Sequence, residues 1–385
     1  MVKLKYILSN YKGDFFDLDK KKLFKLENNL SKFEKNDYIL ILKKVSNLEF
    51  EKNKLCSNDI RILNYFPNSY VVYHNLHESG WASFNNLYED LINQYKNRIF
   101  LLENFENTKD KLYSIQFKYF PYFFNNILNF KFKNKKRNKK FISLIRRLKF
   151  HRILLLSKLS NNFIKNNNIF YTFDVFDYNE CENIINKNFN EVDFDFINIK
   201  KEELKNKIQT LYIDNPNKVL NGPHGDIFGE NPEVGNYFII KNNINYLKTC
   251  LDSYFDIVTE SEFSSRTNNL FTEKIFKPIV FYQPFLVIGR PHILRELKKI
   301  GFKTFDQFWD ESYDSEENDY KRFSMVNNII NDLNNKSMDD IHELYISMKE
   351  ILIHNYNHLK TFTNDNLMKD LELALYKKIK ELENV

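Results

Sequence analysis

The sequence predicts an α/β protein of two lobes with a helical C-terminus, and three observations carry that expectation. In the first third, short β-like runs alternate with amphipathic stretches, the order that builds parallel βα units. A chain of 385 residues exceeds one ordinary core, because domains run to roughly 100–200 residues. From residue 321 onward apolar residues recur at helical spacing, as in "MDDIHELYISMKEILIHNYNHLKTF", with no further strand pattern.

Taken in order, "YILIL" (residues 38–42), "SYVVYHN" (69–75) and "RIFLLEN" (98–104) read as strands, with a helix over 83–95 before the last. The connection "NLHESGWAS" follows the second of these, at the carboxyl edge where open α/β sheets place their chemistry. The charge run "KFKNKKRNKK", Lys131 to Lys140, reads as a basic linker. It divides a first lobe of residues 1–130 from a second of 141–355, and residues 356–385 form a C-terminal helix that packs back on the first lobe. "FISLI" (141–145) is then a strand, followed by a basic turn holding Arg146 and Arg147 and a helix from near His151. Residues 201–212 read as helix, and 214–235 as a long irregular loop, since four of the chain's eight glycines lie there. Between two lobes such a loop can act as a lid. "FDIVTES" (255–261) and "QPFLVIG" (283–289) read as buried strands, and "HILRELKKIGF" as the helix after them.

Charge and cysteine usage exclude more than they assign. Lys and Arg number 57 against 51 Asp and Glu, a net charge of +6 spread over a large surface. The three cysteines, Cys56, Cys181 and Cys250, are far apart and show no CxxC spacing, which supports neither a disulfide framework nor a zinc knuckle. No apolar run approaches the ~20 residues that cross a bilayer, and the N-terminus lacks a cleavable leader pattern. The expectation is a soluble, cytoplasmic protein, in the host cytoplasm if the source is viral.

The residues with chemical potential cluster in the second lobe. In "LFTEKIFKPIVFYQPFLVIG", Pro278 suits the first turns of a helix starting near Thr272, where free N–H groups favour an anion. Lys274 adds a full positive charge there, and Glu273 can accept hydrogen bonds from sugar hydroxyls. The plain alternative is a capping Thr-Glu pair with a solvated lysine. Arg152, at the start of the helix after strand 141–145, could clamp a diphosphate with two parallel hydrogen bonds, with Arg146 on the turn before it. Singly, these arginines read equally as surface residues. Asp193 to Asp195, "DFD", lack a preceding apolar strand, and His74 and His77 are three apart rather than at the i, i+4 spacing of a helical zinc site. No metal is expected. Neither GxxxxGK[ST] nor GxGxxG occurs, which argues against a P-loop enzyme and a dinucleotide dehydrogenase.

The segments "FISLIRRLKFHRILLLSKL" and "VTESEF…LFTEKIFKPIVFYQPFLVIG…GFKTF" together resemble the donor-binding lobe of fucosyltransferase-like glycosyltransferases of GT-B architecture. That family has two Rossmann-like lobes facing a central cleft. The resemblance covers about residues 140–305 and includes uncharacterised bacterial and phage-type relatives. It implies a nucleoside-diphosphate-sugar donor, GDP-fucose being the family-weighted choice, whose diphosphate meets Arg152 and Lys274 and whose ribose meets Glu273. It also implies a base from the first lobe that takes the acceptor hydroxyl's proton. Glu78 is the first choice, with His77 and His74 close behind and Glu103 third; Glu260 and Glu262 of the second lobe can hold the sugar or act as base instead. The expected acceptor is a glycan, a protein or modified nucleic acid. A rival function is a nucleic-acid-binding or structural phage-type protein that uses Lys131 to Lys140 and its aromatics as a contact surface.

Overall fold

The structure is a computed structural model that describes residues 4–8, 33–44, 55–75, 93–95, 98–103, 114–116, 121, 130–145, 148–158, 178–189, 199–214, 250–264 and 272–383. It is a mixed α/β protein with two parallel sheets, and the chain divides into two compact units. The first gathers residues of Met1–Phe123 and Phe362–Val385, the second those of Phe124–Glu230 and Asn236–Thr361.

In the first unit, β1 (Leu4–Leu8), β2 (Tyr38–Lys44), β3 (Ser69–Asn75), β4 (Ile99–Glu103) and β5 (Ser114–Gln116) make one parallel sheet. Its order is β1-β2-β3-β4-β5, so chain neighbours stay neighbours in space. A doubly wound sheet instead reverses its strand order near the centre, and that reversal is not seen among the described strands. Alternation explains the packing: Ile39 and Ile41, Val71 and Tyr73, and Ile99 join Ile62, Leu63 and Phe66 of helix α1 (Ser57–Tyr65) and its end in one core. The opposite face stacks Tyr38 on Tyr70 at 6.5 Å and Tyr70 on Phe100 at 5.3 Å. The C-terminal helix, Asn364–Glu383, reaches Tyr38 through Lys380, whose Nζ lies 3.3 Å from the Tyr38 hydroxyl. Its Leu367, Leu371, Leu375 and Ile379 recur every four residues and are wholly buried.

In the second unit, β6 (Lys139–Ile142) is followed by α2 (Phe150–Lys158), α3 (Tyr178–Asn188), α4 (Lys201–Asp214) and β7 (Ser253–Thr259). A 3-10 turn, Glu273–Ile275, leads into α5 (Lys277–Val280) and β8 (Phe285–Ile288). Then come α6 (Ile293–Lys299), α7 (Asp319–Asn335), α8 (Met338–Ser347) and α9 (Lys349–Leu359). The sheet order is β6-β7-β8, all parallel, with every residue of β7 and β8 buried, as a strand covered on both faces requires. The expected strands at 255–261 and 283–289 thus end earlier than read, which leaves Glu260, Ser261 and Gly289 just beyond the strands.

The basic run expected as a linker lies inside the second unit and is partly consumed by packing. Arg137 donates to the carbonyls of Ser253 and Phe281 and lies 4.5 Å from the Tyr345 ring centre. Lys140 donates to the carbonyls of Asn334 and Lys336 at the end of α7. These are the contacts that satisfy a buried cation and the open carbonyls of a helix end together. Among the described residues no helix is long and apolar enough to cross a membrane.

A buried ion pair joins the sheet to α5: Lys277 Nζ lies 2.8 Å from the Asp256 carboxylate, with both side chains almost wholly buried. Removing one partner of such a pair leaves an uncompensated charge in the core. Lys277→Met should therefore destabilise the second unit by about 3–5 kcal/mol in urea unfolding followed by circular dichroism. The double variant Lys277→Met/Asp256→Leu should recover most of that loss, because a well-packed apolar pair replaces the ions.

Candidate functional site

The three parallel strands of the second unit deliver their carboxyl ends to one edge, where β7 gives way to Glu260 and Ser261. The ladder continues one step past β7, the Glu260 N–H donating to Ile288 O at 2.9 Å. Gly289 leaves room for this approach, since a Cβ there would lie a tight 3.1 Å from Glu260 Cβ and would push Ile293 Cδ1, 2.5 Å away, aside. The Glu260 side chain is thereby buried beside β8, and it needs donors. Thr272 supplies two, its N–H at 3.1 Å and its hydroxyl at 2.6 Å, and the Ser261 N–H adds a third at 3.3 Å. Burial pushes the Glu260 carboxyl above its usual range, while Lys274 and the Thr272 bonds oppose that rise.

Lys274 completes the cluster. Its Nζ lies 3.1 Å from Ser261 Oγ, 3.1 Å from Thr272 Oγ1 and 2.9 Å from Glu273 Oε1. An ammonium has three hydrogens, and here each faces a protein acceptor. The Lys274 and Glu273 side chains keep 29% and 24% exposure, so this ion pair is the cluster's open side. Burial pushes the Glu273 carboxyl up, but the adjacent Lys274 charge and hydrogen bond win and hold it below the usual range.

Three more cations, Arg152, Lys149 and Arg322, and the imidazole of His151 gather at the ends of β7 and β8. Arg152 Nη2 donates to Thr259 O at 3.0 Å and to Glu260 O at 3.1 Å. His151 Nε2 lies 3.1 Å from Glu260 O, so this nitrogen carries the proton. Burial, then the Arg152 charge, depresses the imidazole well below its ordinary value, and the ring stacks at 5.0 Å on Phe263. Lys149 donates to the Ser261 carbonyl and pairs with Glu262 at 3.2 Å. Arg322, nearly inaccessible, donates to Gly289 O at 2.8 Å and lies 5.0 Å over Phe263.

The sequence-expected residues divide accordingly. Glu260, Thr272, Glu273 and Lys274 come together in one hydrogen-bonded cluster, and Arg152 meets it through the Glu260 backbone. Arg152 differs from the reading in its aim: α2 is sunk, with His151 to Ser157 all buried, so the guanidinium turns toward main-chain carbonyls. The expected helix start at Thr272 is a single 3-10 turn followed by a four-residue helix. A stack of peptide dipoles that short is weak, so positive charge at this place comes from Lys274. At α6 the open N–H groups of Leu294 and Arg295 already bind the Asp314 carboxylate at 2.8 and 2.9 Å. Glu103 ends β4, in register with Asn75 and Gln116, in the first unit. Glu78, His77, Arg146 and Asp193 to Asp195 lie outside the described residues. Ser261, Lys149 and His151 join the cluster without having been assigned a role from sequence. Their only signal is proximity to the ends of predicted strands.

Comparison with protein-family models, with curated proteins and with solved structures gave no match.

Thr272→Val removes the hydroxyl that serves both Glu260 and Lys274, and should cost about 1–3 kcal/mol in unfolding free energy, with Thr272→Ser close to the parent. Glu273 has a folded pKa below the unfolded value of about 4.3, so its contribution is present above that pH and is lost as pH falls through the folded value. The stability gap between the parent and Glu273→Gln should therefore shrink in acid, as followed by urea midpoints from pH 7 downward.

Proposed function

We propose that the second unit grips the diphosphate of a nucleotide sugar, and that the protein is a metal-independent, inverting glycosyltransferase of GT-B type. One observation supports this most: Lys274 and Arg152, far apart in sequence, converge on the same three residues, Thr259 to Ser261, at the carboxyl end of the central strand. Ligands of open parallel sheets bind at that edge. Arg152 acts from beneath by fixing the strand end, and Lys274 faces the ligand.

The geometry sets a condition on binding. A phosphate oxygen must replace one of the three acceptors around Lys274 Nζ, and Glu273 is the one that can leave, being a partly exposed side chain on a short turn. Once released, its carboxylate is free to accept a ribose hydroxyl, so a single exchange serves both halves of the donor. In the transfer, the acceptor oxygen attacks the anomeric carbon as the bond from that carbon to the diphosphate oxygen breaks. A base of the first lobe, Glu78 in first place, then His77 or Glu103, takes the hydroxyl proton. The Lys274 charge offsets the negative charge that grows on the departing diphosphate. GDP-fucose is the first donor to try, with a glycan, protein or modified nucleic-acid hydroxyl as acceptor, in the cytoplasm.

Isothermal titration with GDP, UDP, CMP and their sugar conjugates tests the reading. Lys274→Ala should weaken the best ligand by at least roughly tenfold, the size of one hydrogen bond to a charged group. Glu273→Ala should weaken the nucleotide but not inorganic pyrophosphate. Undiminished nucleotide binding in both variants, with folding verified by circular dichroism, would refute the assignment.

A further inference from the structure

A diphosphate bears negative charge on two phosphate groups, and Lys274 meets it with one cation. Arg152 does not face the ligand as a second, because it is buried with Nη2 engaged by the carbonyls of Thr259 and Glu260. Lys149 is differently placed. It stands just before α2, at the end of the connection that leaves β6, whereas Lys274 lies in the connection that leaves β7. These strands are parallel neighbours, so both connections rise from the same edge of the sheet. There the two lysines share one residue. Lys149 Nζ donates to the Ser261 carbonyl, and Lys274 Nζ lies 3.1 Å from Ser261 Oγ. Each ammonium also pairs with a partly exposed carboxylate, Lys149 with Glu262 at 3.2 Å and Lys274 with Glu273 at 2.9 Å. The Lys149 side chain keeps 38% exposure, more than that of Lys274.

Two donors at this strand tip are still open. An ammonium has three hydrogens, and Lys149 meets two acceptors among the described residues. Ser261 Oγ accepts from Lys274, while its own hydroxyl hydrogen meets no acceptor among the described residues.

We infer, resting on the nucleotide-sugar reading, that Lys149 is the second cation of the diphosphate site, each lysine taking one phosphate and the Ser261 hydroxyl donating between them. Glu262 and Glu273 hold the places of the two phosphates. Their displacement exchanges one negative charge for another at each lysine, so neither ammonium is left unpaired. A monophosphate can make only one such exchange. The two phosphates of a diphosphate share a bridging oxygen and stay within the span of one serine, as the two ammonium groups do.

Isothermal titration with inorganic pyrophosphate, inorganic phosphate, succinate and GDP tests the assignment. The parent should bind pyrophosphate at least roughly tenfold more tightly than phosphate, the size of one hydrogen bond to a charged group. Lys149→Gln should abolish most of that preference and leave phosphate, held by Lys274, near its parent affinity. A general disturbance of the strand end would weaken both ligands alike. Lys149→Arg should restore the preference, since it keeps the charge and the donors. Glu262→Gln, which frees Lys149 of its carboxylate, should bind pyrophosphate more tightly than the parent, and it carries the test alone if circular dichroism shows Lys149→Gln unfolded. Retained preference in Lys149→Gln, equal loss of phosphate, succinate bound as tightly as pyrophosphate, or unchanged or weaker binding by Glu262→Gln would each overturn the role of Lys149. The donor reading survives those results if Lys274→Ala still weakens GDP. Lys149-dependent pyrophosphate binding with no stronger binding of GDP keeps the two-lysine site and removes the nucleotide sugar. A parent that binds neither ligand overturns both.

Discussion

A carboxylate buried at the end of a central strand has to be satisfied, and that demand organises the second unit. Glu260 sits close beside β8, where the missing side chain of Gly289 leaves it room. Once there, it draws Thr272 onto itself through both the backbone and the hydroxyl. Thr272 in turn fixes the 3-10 turn that carries Glu273 and Lys274. The Glu260 carbonyl meanwhile receives Arg152 and the neutral His151, so one residue anchors α2 by its main chain and the 3-10 turn by its side chain. Unpaired, this carboxylate would cost several kcal/mol; paired, it ties Ser261 and Thr272 to the end of β7.

The distribution of cations follows from the same physics. In the second unit Arg137, Arg152 and Arg322 all end on backbone carbonyls, because a guanidinium's fork can satisfy several fixed acceptors that helix and strand ends leave open. Lys277 ends on a buried aspartate, and Lys140 on the last carbonyls of α7. A net charge of +6 therefore says little about the surface, since many of these cations are structural. Others stay outside and are spread over the surface, among them Lys298, Lys299 and Lys321, each paired with a nearby carboxylate.

Period-two runs of β-branched and aromatic residues made β2, β3 and β4 readable almost to the residue, and "SYVVYHN" matches β3 at both ends. Short elements were harder. The first strand, LKYIL, has only five residues, and α1 opens on Cys56, which is not a usual capping residue, with Asp59 bonding back to the Cys56 N–H at 3.0 Å. Of the site, "TEK" was legible because its three residues are adjacent in sequence. The aim of Arg152 was not, since whether α2 is sunk or exposed depends on what packs over it. The split of the basic run was equally hidden, because Arg137 and Lys140 meet carbonyls more than a hundred residues away.

The helix that covers Tyr38 belongs to the end of the chain, and the Lys380–Tyr38 contact spans 342 residues. Closing so long a loop is slow, and contacts of this range form late. During synthesis the first sheet emerges with Tyr38, at one end of its stacked aromatics, still uncovered, while the whole second unit is made before Lys380 reaches it. Kinetic vulnerability in this protein is thus concentrated early in the chain. Truncating the last turns would remove Lys380 from Tyr38, at the edge of that aromatic face, without touching the second core.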